Sequence, residues 1–233
     1  MRGRLVATVL RRMEGLGVVT PAIEQLVRDL PELQPCRAGV NLDPDGRPMF
    51  LVQGWAARVR WLPDGRRQII NLVLPGESVG VGLRPNPLAP TSTVALTAVR
   101  TVDATAVHSA ATGQNSQWAD LREILHMSGN LDESYLLNQV VRLGRQTGYE
   151  RTCHLLLEIR ERLTGVGVGD GEVFPMSLTQ EMLADTTGLS TVHINRTIQQ
   201  LRRERLLWLQ SGNARLLNLP ALERIAGYVG RGP

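Results

Sequence analysis

Apolar residues have the spacing of helices in some parts of this chain and the spacing of strands in others. Residues 20–30 predict a short helix, because Thr20 is a candidate N-cap and Pro21 takes the first helical position. The apolar stripe of this helix consists of Ile23, Leu26, Val27 and Leu30. Further along, the spacing changes to short runs of branched residues, so a second type of structure is expected there.

Residues 36–107 predict an antiparallel β sandwich or barrel. Gly and Pro separate short runs of β-type residues, including a Pro-rich connection at 84–90. Asp64 and Gly65 lie between two such runs and predict a hairpin. The candidate strands are MFLVQGWAARVRWL, RRQIINLVL, TVALTAVR and VDATAVHS.

Residues 117–144 predict a long helix that is apolar on two sides. One stripe is Leu121, Ile124, Ser128, Leu131 and Tyr135, and the other is Leu136, Val140 and Leu143. One side is expected to pack on the β domain and the other on a second copy, as in a coiled coil. Packing of both sides within one subunit is the alternative. Gly129 costs about 1 kcal/mol inside a helix, so a break there is also considered.

The C-terminal part predicts two short helices followed by a hairpin. A helix over 149–163 and a Gly-rich connector over 164–172 come first, and the connector lacks the phosphate-binding pattern G-x-x-x-x-G-K-[ST]. Ser177 and Gln180 have capping-box spacing. The helix they open is expected to end near Gly188, and Ser190 then caps the next helix. RLLWLQ, SGN and ARLLNL complete a winged-helix order before a last helix at Pro220.

The helix that Ser190 caps has an outer face of hydrogen-bonding side chains. Ile194, Ile198 and Leu201 share the inner face at 100° per residue. The outer face carries Val192, Arg196, Gln199 and Arg203, flanked by His193, Asn195 and Gln200. Amides and guanidiniums bond to base edges in pairs, so this face suits DNA. A solvated helix face without a partner is the plainer interpretation.

Composition limits the classes of function without selecting one. All 26 basic residues among the 233 are arginine. The formal charge of +4 favours an anionic partner. The two cysteines and four histidines are scattered, so a metal enzyme is not predicted and the chain is expected not to be an enzyme. Neither a membrane span nor a signal peptide is expected, which makes the cytoplasm the default location.

The segment LTQEMLADTTGLSTVHINRTIQQLRRERLLWL resembles the C-terminal domain of the Crp/Fnr family of bacterial transcription regulators. Residues 54–77 and 142–163 are similar to its β-roll and to the segment before its DNA-binding domain. The resemblance implies an α+β fold: an N-terminal antiparallel β-roll like cyclic-nucleotide-binding jelly rolls, a long dimerisation helix and a C-terminal winged helix-turn-helix. The domains are expected at 1–115, 116–145 and 146–233, with a homodimer that reads a palindrome through helix 190–205.

The resemblance also implies roles for single residues. The family's base-reading positions fall on Thr191, Val192, Asn195 and Arg196, to which the outer face adds Gln199. Its phosphate positions fall on Thr179, Ser190 and His193, and Arg203 extends the positive strip. Many members carry Glu where Val192 stands, so a different half-site is expected. The loop at 167–175 is expected to touch RNA polymerase, since family activators use the corresponding loop.

The β-roll departs from the family's effector-binding patterns. Cyclic-nucleotide-binding members have a Gly-Glu-Leu and an Arg-Ser where this chain has Gly80-Val81-Gly82 and Ser92-Thr93. Cyclic-nucleotide binding is therefore not expected, with Arg84 or Arg100 as the candidate substitutes. An Fe–S cluster is not expected either. Haem stays open, with no ligand pair assigned among His108, His126, Cys36 and Met49, and no effector is predicted.

One alternative function remains from the sequence. The β-roll could be a ligand sensor whose C-terminal helices dock a protein partner instead of DNA. Salt dependence separates the two, because DNA binding releases counterions. An enzyme built on the β-roll lacks clustered metal ligands or a nucleophile–base pair.

Overall fold

The computed structural model describes residues 5–81 and 91–230. The chain divides into two compact units. The first comprises Met1–Trp61 and Asn71–Tyr135, and the second comprises Leu62–Ile70 and Leu136–Pro233. The predicted connection at 84–90 lies outside the described residues.

The first unit contains two antiparallel three-stranded sheets. Their strand orders are β4-β1-β6 and β3-β2-β5. Met49 lies opposite Asp103 in one sheet, and Ala57 lies opposite Val94 in the other. The strands are β1 (Met49–Gln53), β2 (Ala56–Trp61), β3 (Arg67–Val73), β4 (Ser78–Val79), β5 (Ser92–Ala95) and β6 (Arg100–Asp103). These sheets form the β-roll of the predicted α+β fold.

Helices cover part of this β-roll. They are α1 (Ala7–Glu14), α2 (Pro21–Arg28), α3 (Thr105–Thr112) and the first part of α4 (Ala119–Arg145). As predicted, Thr20 caps α2, since its hydroxyl accepts a hydrogen bond from the backbone N–H of Ile23. The apolar faces of these helices join Phe50, Val52 and Val102 in one buried cluster.

The β2–β3 hairpin is confirmed at Asp64-Gly65. The backbone N–H of Leu62 donates to the carbonyl of Arg66 at 2.8 Å, which closes the turn. Gly65 has a φ of +83°, a left-handed conformation that favours glycine. Residues Leu62–Ile70 pack within the second unit, while the rest of β3 belongs to the first.

The prediction of a strand over VDATAVHS was wrong beyond Asp103. The carboxylate of Asp103 accepts a hydrogen bond from the N–H of Thr105 at 2.8 Å, and α3 begins there. Val107 and Ala111 are both buried. Their spacing of four residues is that of a helix, and it outweighs the β-type alternation in the sequence.

The long helix α4 runs unbroken from Ala119 to Arg145, so the break considered at Gly129 does not occur. Its buried positions include Leu121, Ile124 and Tyr135, as predicted. In the second predicted stripe, Leu136 and Leu143 are half-buried and Val140 is exposed. The exposed apolar residues of the helix are Met127, Leu137, Val140 and Val141.

The second unit is a winged helix-turn-helix. Its helices are α5 (Gly148–Thr164), α6 (Gln180–Thr187), α7 (Thr191–Arg203) and α8 (Leu219–Ala226). Strands β7 (Val173–Pro175), β8 (Leu207–Gln210) and β9 (Asn213–Leu216) form an antiparallel sheet in the order β7-β9-β8. The predicted helix at 149–163, the wing hairpin and the last helix are confirmed. Strand β7 was not predicted.

Candidate nucleic-acid interface

Helices α6 and α7 are each started by a hydroxyl side chain. The Thr179 hydroxyl accepts a hydrogen bond from the N–H of Met182 at 3.2 Å, and the Ser190 hydroxyl accepts one from the N–H of His193 at 3.2 Å. Gly188 ends α6 with a φ of +66°, so the chain can turn directly into α7. The predicted turn at Gly188 and cap at Ser190 are confirmed.

The predicted capping box of Ser177 and Gln180 was wrong, because α6 begins two residues later. Phe174, Met176 and Leu178 are buried on alternate positions, which is the period of extended backbone. The N–H of Met176 continues the sheet by donating to the carbonyl of Gly212 at 2.8 Å. Burial of these side chains keeps the chain extended to Thr179. Gln180 is therefore the first residue of α6.

Helix α7 separates its apolar and polar side chains as predicted. Ile194, Ile198 and Leu201 are buried in the second unit. Val192 is 62% exposed even though it is apolar. All nine candidate DNA-contacting residues are exposed: Thr179, Ser190, Thr191, Val192, His193, Asn195, Arg196, Gln199 and Arg203.

Two contacts from the start of α5 position α7. The Tyr149 hydroxyl donates a hydrogen bond to the carboxylate of Glu204, just beyond the end of α7. This bond lowers the pKa of Glu204, while burial is the main reason that the pKa of Tyr149 is raised. Gly148 lies beside His193, and a Cβ atom on Gly148 would come within 2.6 Å of the His193 Nε2. Glycine at this position therefore permits a close approach to α7.

The wing is tied to α7 by one of its arginines. The guanidinium of Arg202 donates a hydrogen bond to the carbonyl of Leu209 on β8. Both arginines are exposed, but Arg202 bonds to the wing while Arg203 forms part of the outer face. The sequence grouped both arginines in one positive strip, and only the structure separates them.

Three side chains from other elements bond to the last carbonyl oxygens of α6. Gln68 of β3 donates to Asp185 O at 2.7 Å, Gln139 of α4 to Thr186 O at 2.6 Å, and Arg151 of α5 to Thr187 O at 3.0 Å. The C-terminal carbonyls of a helix have no partners within the helix, so these bonds satisfy them. We call Gln68, Gln139 and Arg151 the α6 clamp. Sequence reasoning missed it, although Gln139 interrupts an apolar stripe, which is a usable signal.

A buried ionic cluster lies next to the clamp. The Glu158 carboxylate contacts Arg142 at 2.7 Å and Arg162 at 3.0 Å. Arg142 also donates to Nδ1 of His154 at 3.2 Å. Burial, followed by the charge of Arg142, lowers the pKa of His154 to about 4. A guanidinium can only donate, so the imidazole accepts and is neutral.

Similarity to known proteins covers both units. Residues 150–225 match the model of the Crp-like helix-turn-helix domain. The nitrogen fixation regulation protein FixK of Bradyrhizobium diazoefficiens is 28% identical over 76% of this chain and 72% of its own. The transcriptional activatory protein AadR of Rhodopseudomonas palustris is also 28% identical, with the same shares covered. The structure of FixK2 from Bradyrhizobium japonicum matches 86% of this chain and 99% of its own with a TM-score of 0.70 at 24% identity.

Residues 150–225 therefore form a Crp-like helix-turn-helix domain, and the chain is similar to Crp/Fnr transcription regulators beyond that domain. The family model lies on the winged helix-turn-helix unit, and the longer matches extend into the β-roll unit. The recognition made from the sequence is therefore confirmed.

Gly80, Ser92 and Thr93, which stand where cyclic-nucleotide-binding members have their binding motifs, line a polar cavity of the first unit. Its volume is about 350 Å3. The Asp43 carboxylate accepts hydrogen bonds there from the N–H and hydroxyl of Thr93. Arg100, one candidate substitute, instead bonds to Glu32 at 2.7 Å, and Gly82 and Arg84 lie outside the described residues. The cavity is lined in part by Asn41, Asp43, Arg58, Gly80, Ser92 and Thr93.

The candidate haem ligands have different surroundings. Cys36 and Met49 line one pocket of about 380 Å3 in the first unit. His108 has its Nδ1 at 3.5 Å from the carbonyl of Val81, and His126 is exposed. Within residues 5–81 and 91–230, no three His, Cys, Asp or Glu side chains form a group suited to a metal ion. No helix in the described part of the chain is long and apolar enough to span a membrane.

Proposed function

We propose that this regulator binds a palindromic DNA site as a homodimer, with α7 of each subunit in the major groove. The outer face of α7 carries this proposal, because its exposed side chains include a guanidinium, two amides and a branched apolar group. B-DNA presents distinct donors, acceptors and methyl groups in the major groove, and an α-helix fits into it. Because the proposed partner is DNA, the cytoplasm is the expected location.

The base-reading roles follow from the chemistry of each side chain. Arg196 has the fork of donors that pairs with guanine O6 and N7, and Asn195 or Gln199 can pair with adenine N6 and N7. Val192 can contact a thymine methyl group, since its side chain is largely exposed. Thr191 is the first residue of α7. When α7 lies in the major groove, residues at the start of the helix are next to the base edges.

The phosphate-contacting roles follow from position. Ser190 and His193 lie in the first turn of α7, where free backbone N–H groups favour an anion. Thr179 occupies the corresponding place before α6, and its hydroxyl hydrogen remains available because the oxygen accepts the cap bond. Arg203 places a positive charge at the other end of α7.

Dimerisation is proposed to use the exposed apolar residues of α4. Leu137, Val140 and Val141 are 61%, 67% and 51% exposed and lie within two turns of one helix. Such a cluster on a long helix suits pairing with a second copy. A two-fold axis would then present two α7 helices to successive major grooves.

The decisive experiment compares Arg196→Ala with Arg224→Ala on a palindrome selected from random duplexes by the wild-type protein. Both variants remove one exposed arginine, but Arg224 lies on α8, outside the candidate interface. Arg196→Ala is expected to lose about 1–3 kcal/mol of binding free energy per half-site, and Arg224→Ala far less. Equal affinity of Arg196→Ala and wild type in the gel shift would refute the base-reading role.

Salt dependence separates DNA binding from docking of a protein. The logarithm of the association constant is expected to fall steeply and linearly with the logarithm of salt concentration, through counterion release. Arg203→Ala should reduce that slope by about 1 per half-site. An affinity for duplex DNA that does not respond to salt would exclude the proposed phosphate contacts.

We propose further that the 167–175 loop contacts RNA polymerase. Two bonds order this loop: the Asp170 carboxylate accepts from the N–H of Val173 at 2.6 Å, and Arg160 donates to the carbonyl of Gly171 at 2.8 Å. These bonds leave Glu172 70% exposed. A deletion within the loop should keep DNA binding and abolish activation in a reconstituted transcription assay. Retention of both would rule this contact out.

A further inference from the structure

One hydrogen bond joins the two helices of the helix-turn-helix through exposed side chains. The Oε1 atom of Gln180, at the start of α6, accepts from the Nδ2 atom of Asn195 on α7 at 3.3 Å. Both residues are exposed, so the bond does not contribute to the buried core. Gln180 is the first residue of α6, which begins two residues later than the capping-box pattern predicts.

This bond limits what Asn195 can offer to an external partner. A side-chain amide has two N–H donors and one carbonyl acceptor. Gln180 occupies one donor, which leaves one N–H and the Oδ1 atom available. An unrestrained asparagine can rotate its amide about χ2, because that torsion is broad. The bond to Gln180 therefore favours the amide orientation that leaves one N–H and the Oδ1 atom for a partner.

The remaining groups match one base better than the others. Adenine presents the N7 acceptor beside the N6 donor in the major groove, which complements one N–H and one carbonyl oxygen. Guanine presents two acceptors, N7 and O6, and leaves the carbonyl oxygen without a partner. A carbonyl left facing a base acceptor is unfavourable, so the arrangement selects against guanine.

We propose that Gln180 is a positioning residue that sets Asn195 to read adenine in preference to guanine. This inference rests on the proposed function, since it assigns the specificity of one residue in that interface. Gln180 acts through Asn195 and is not assigned a base contact of its own.

The test measures base preference, not affinity alone. Wild-type protein selects a palindrome, and fluorescence anisotropy then gives the dissociation constant for duplexes in which one base pair per half-site is replaced. The base pair whose preference disappears in Asn195→Ala is the one that Asn195 reads. At that pair the wild type is expected to prefer adenine over guanine by about tenfold or more per half-site.

Two variants of Gln180 then separate positioning from a direct contact. Gln180→Leu removes the acceptor and is expected to bring the adenine-to-guanine preference to within about threefold, with the other base pairs unchanged. Gln180→Glu keeps an acceptor and should retain the preference, although its charge weakens binding to every duplex alike. In the Asn195→Ala background, Gln180→Leu should have no further effect on the preference.

Several results would overturn the inference. If Gln180→Leu weakens binding to all duplexes equally, Gln180 contacts phosphate and does not position Asn195. If Gln180→Leu leaves the adenine-to-guanine preference unchanged, the hydrogen bond has no role in specificity. If Asn195→Ala alters no base preference while Arg196→Ala does, the proposed function stands and this inference fails. If no duplex is selected at all, both fail.

Discussion

The side-chain amide of Gln139 on α4 donates a hydrogen bond of 2.6 Å to the carbonyl oxygen of Thr186, near the C-terminal end of α6. The same amide nitrogen lies 3.3 Å from the carbonyl of Ile69, and the Gln139 carbonyl accepts from Arg142 Nε at 3.0 Å. Gln139 is buried, so these bonds form without competition from solvent. The first helix of the proposed DNA-binding motif is therefore held to α4 by specific polar bonds.

Replacement of Gln139 by leucine is expected to lower the free energy of unfolding by about 1–3 kcal/mol. The substitution leaves the buried carbonyl of Thr186 without this donor and Arg142 Nε without this acceptor. Urea denaturation followed by circular dichroism measures the change. Gln25→Leu is the control, because the Gln25 amide bonds to Asp29 on an exposed surface and its loss should stay within about 0.5 kcal/mol. Similar losses for the two variants would contradict the role of Gln139.

The apolar pattern of the sequence predicted the elements and the faces of the proposed interface. Ile194, Ile198 and Leu201 recur at helical spacing, and this alone identifies which side of α7 is buried. Asp64-Gly65 identified the hairpin, because an Asp-Gly pair between two β-type runs is a local turn signal. Such features depend on a few neighbouring residues, so the sequence contains all of the information needed.

The α6 clamp could not be predicted because its partners are distant in sequence. Gln68 and Gln139 are far along the chain from the α6 carbonyls that they contact, and nothing local links them. The start of α6 was misplaced for a related reason. Ser177 and Thr179 are both good N-caps, and packing of Leu178 and Met176 in the core decides between them.

Loss of the Glu158 carboxylate is expected to destabilise the second unit strongly. Glu158→Gln removes the negative charge between the buried guanidiniums of Arg142 and Arg162, at a cost of about 3–5 kcal/mol. Thermal or urea unfolding measures the effect.

The matched control for Glu158→Gln is Glu24→Gln. It breaks the exposed ion pair of Glu24 with Arg28, which is also spaced i,i+4. Exposed pairs contribute about 0–1 kcal/mol because solvent screens them, so the control should unfold nearly as wild type does. If Glu158→Gln were as stable as Glu24→Gln, the buried cluster would have no net stabilising effect.

A charge on the exposed apolar part of α4 is expected to dissociate the proposed dimer. Val140→Glu places a carboxylate where two copies of α4 would meet, and sedimentation equilibrium should show a shift towards monomer. Affinity for the selected palindrome should fall more than affinity for a single half-site. Val18→Glu is the control, since Val18 is also 67% exposed but precedes α2. Equal dimerisation of Val140→Glu and Val18→Glu would place the interface elsewhere.

Because His154 is buried, we expect the protein to lose stability in mild acid. The pKa of His154 is lowered from 6.5 to about 4, mainly by burial and next by the charge of Arg142. Arg142 bonds both to this ring and to the Glu158 carboxylate. The ring also packs edge-on against the ring of Tyr228, with the two centroids 4.8 Å apart. The unfolded chain therefore binds a proton at a higher pH than the folded chain does.

The sign of the effect follows from this difference in proton binding. The contribution of His154 is fully present above pH 6.5 and is lost as the pH falls towards 4. Its size is about 3 kcal/mol across that window. Urea unfolding at a series of pH values should show this decline in wild type and in His126→Gln, which changes an exposed histidine. His154→Gln should remove it, because glutamine takes up no proton. The same decline in His154→Gln would show that other groups cause it.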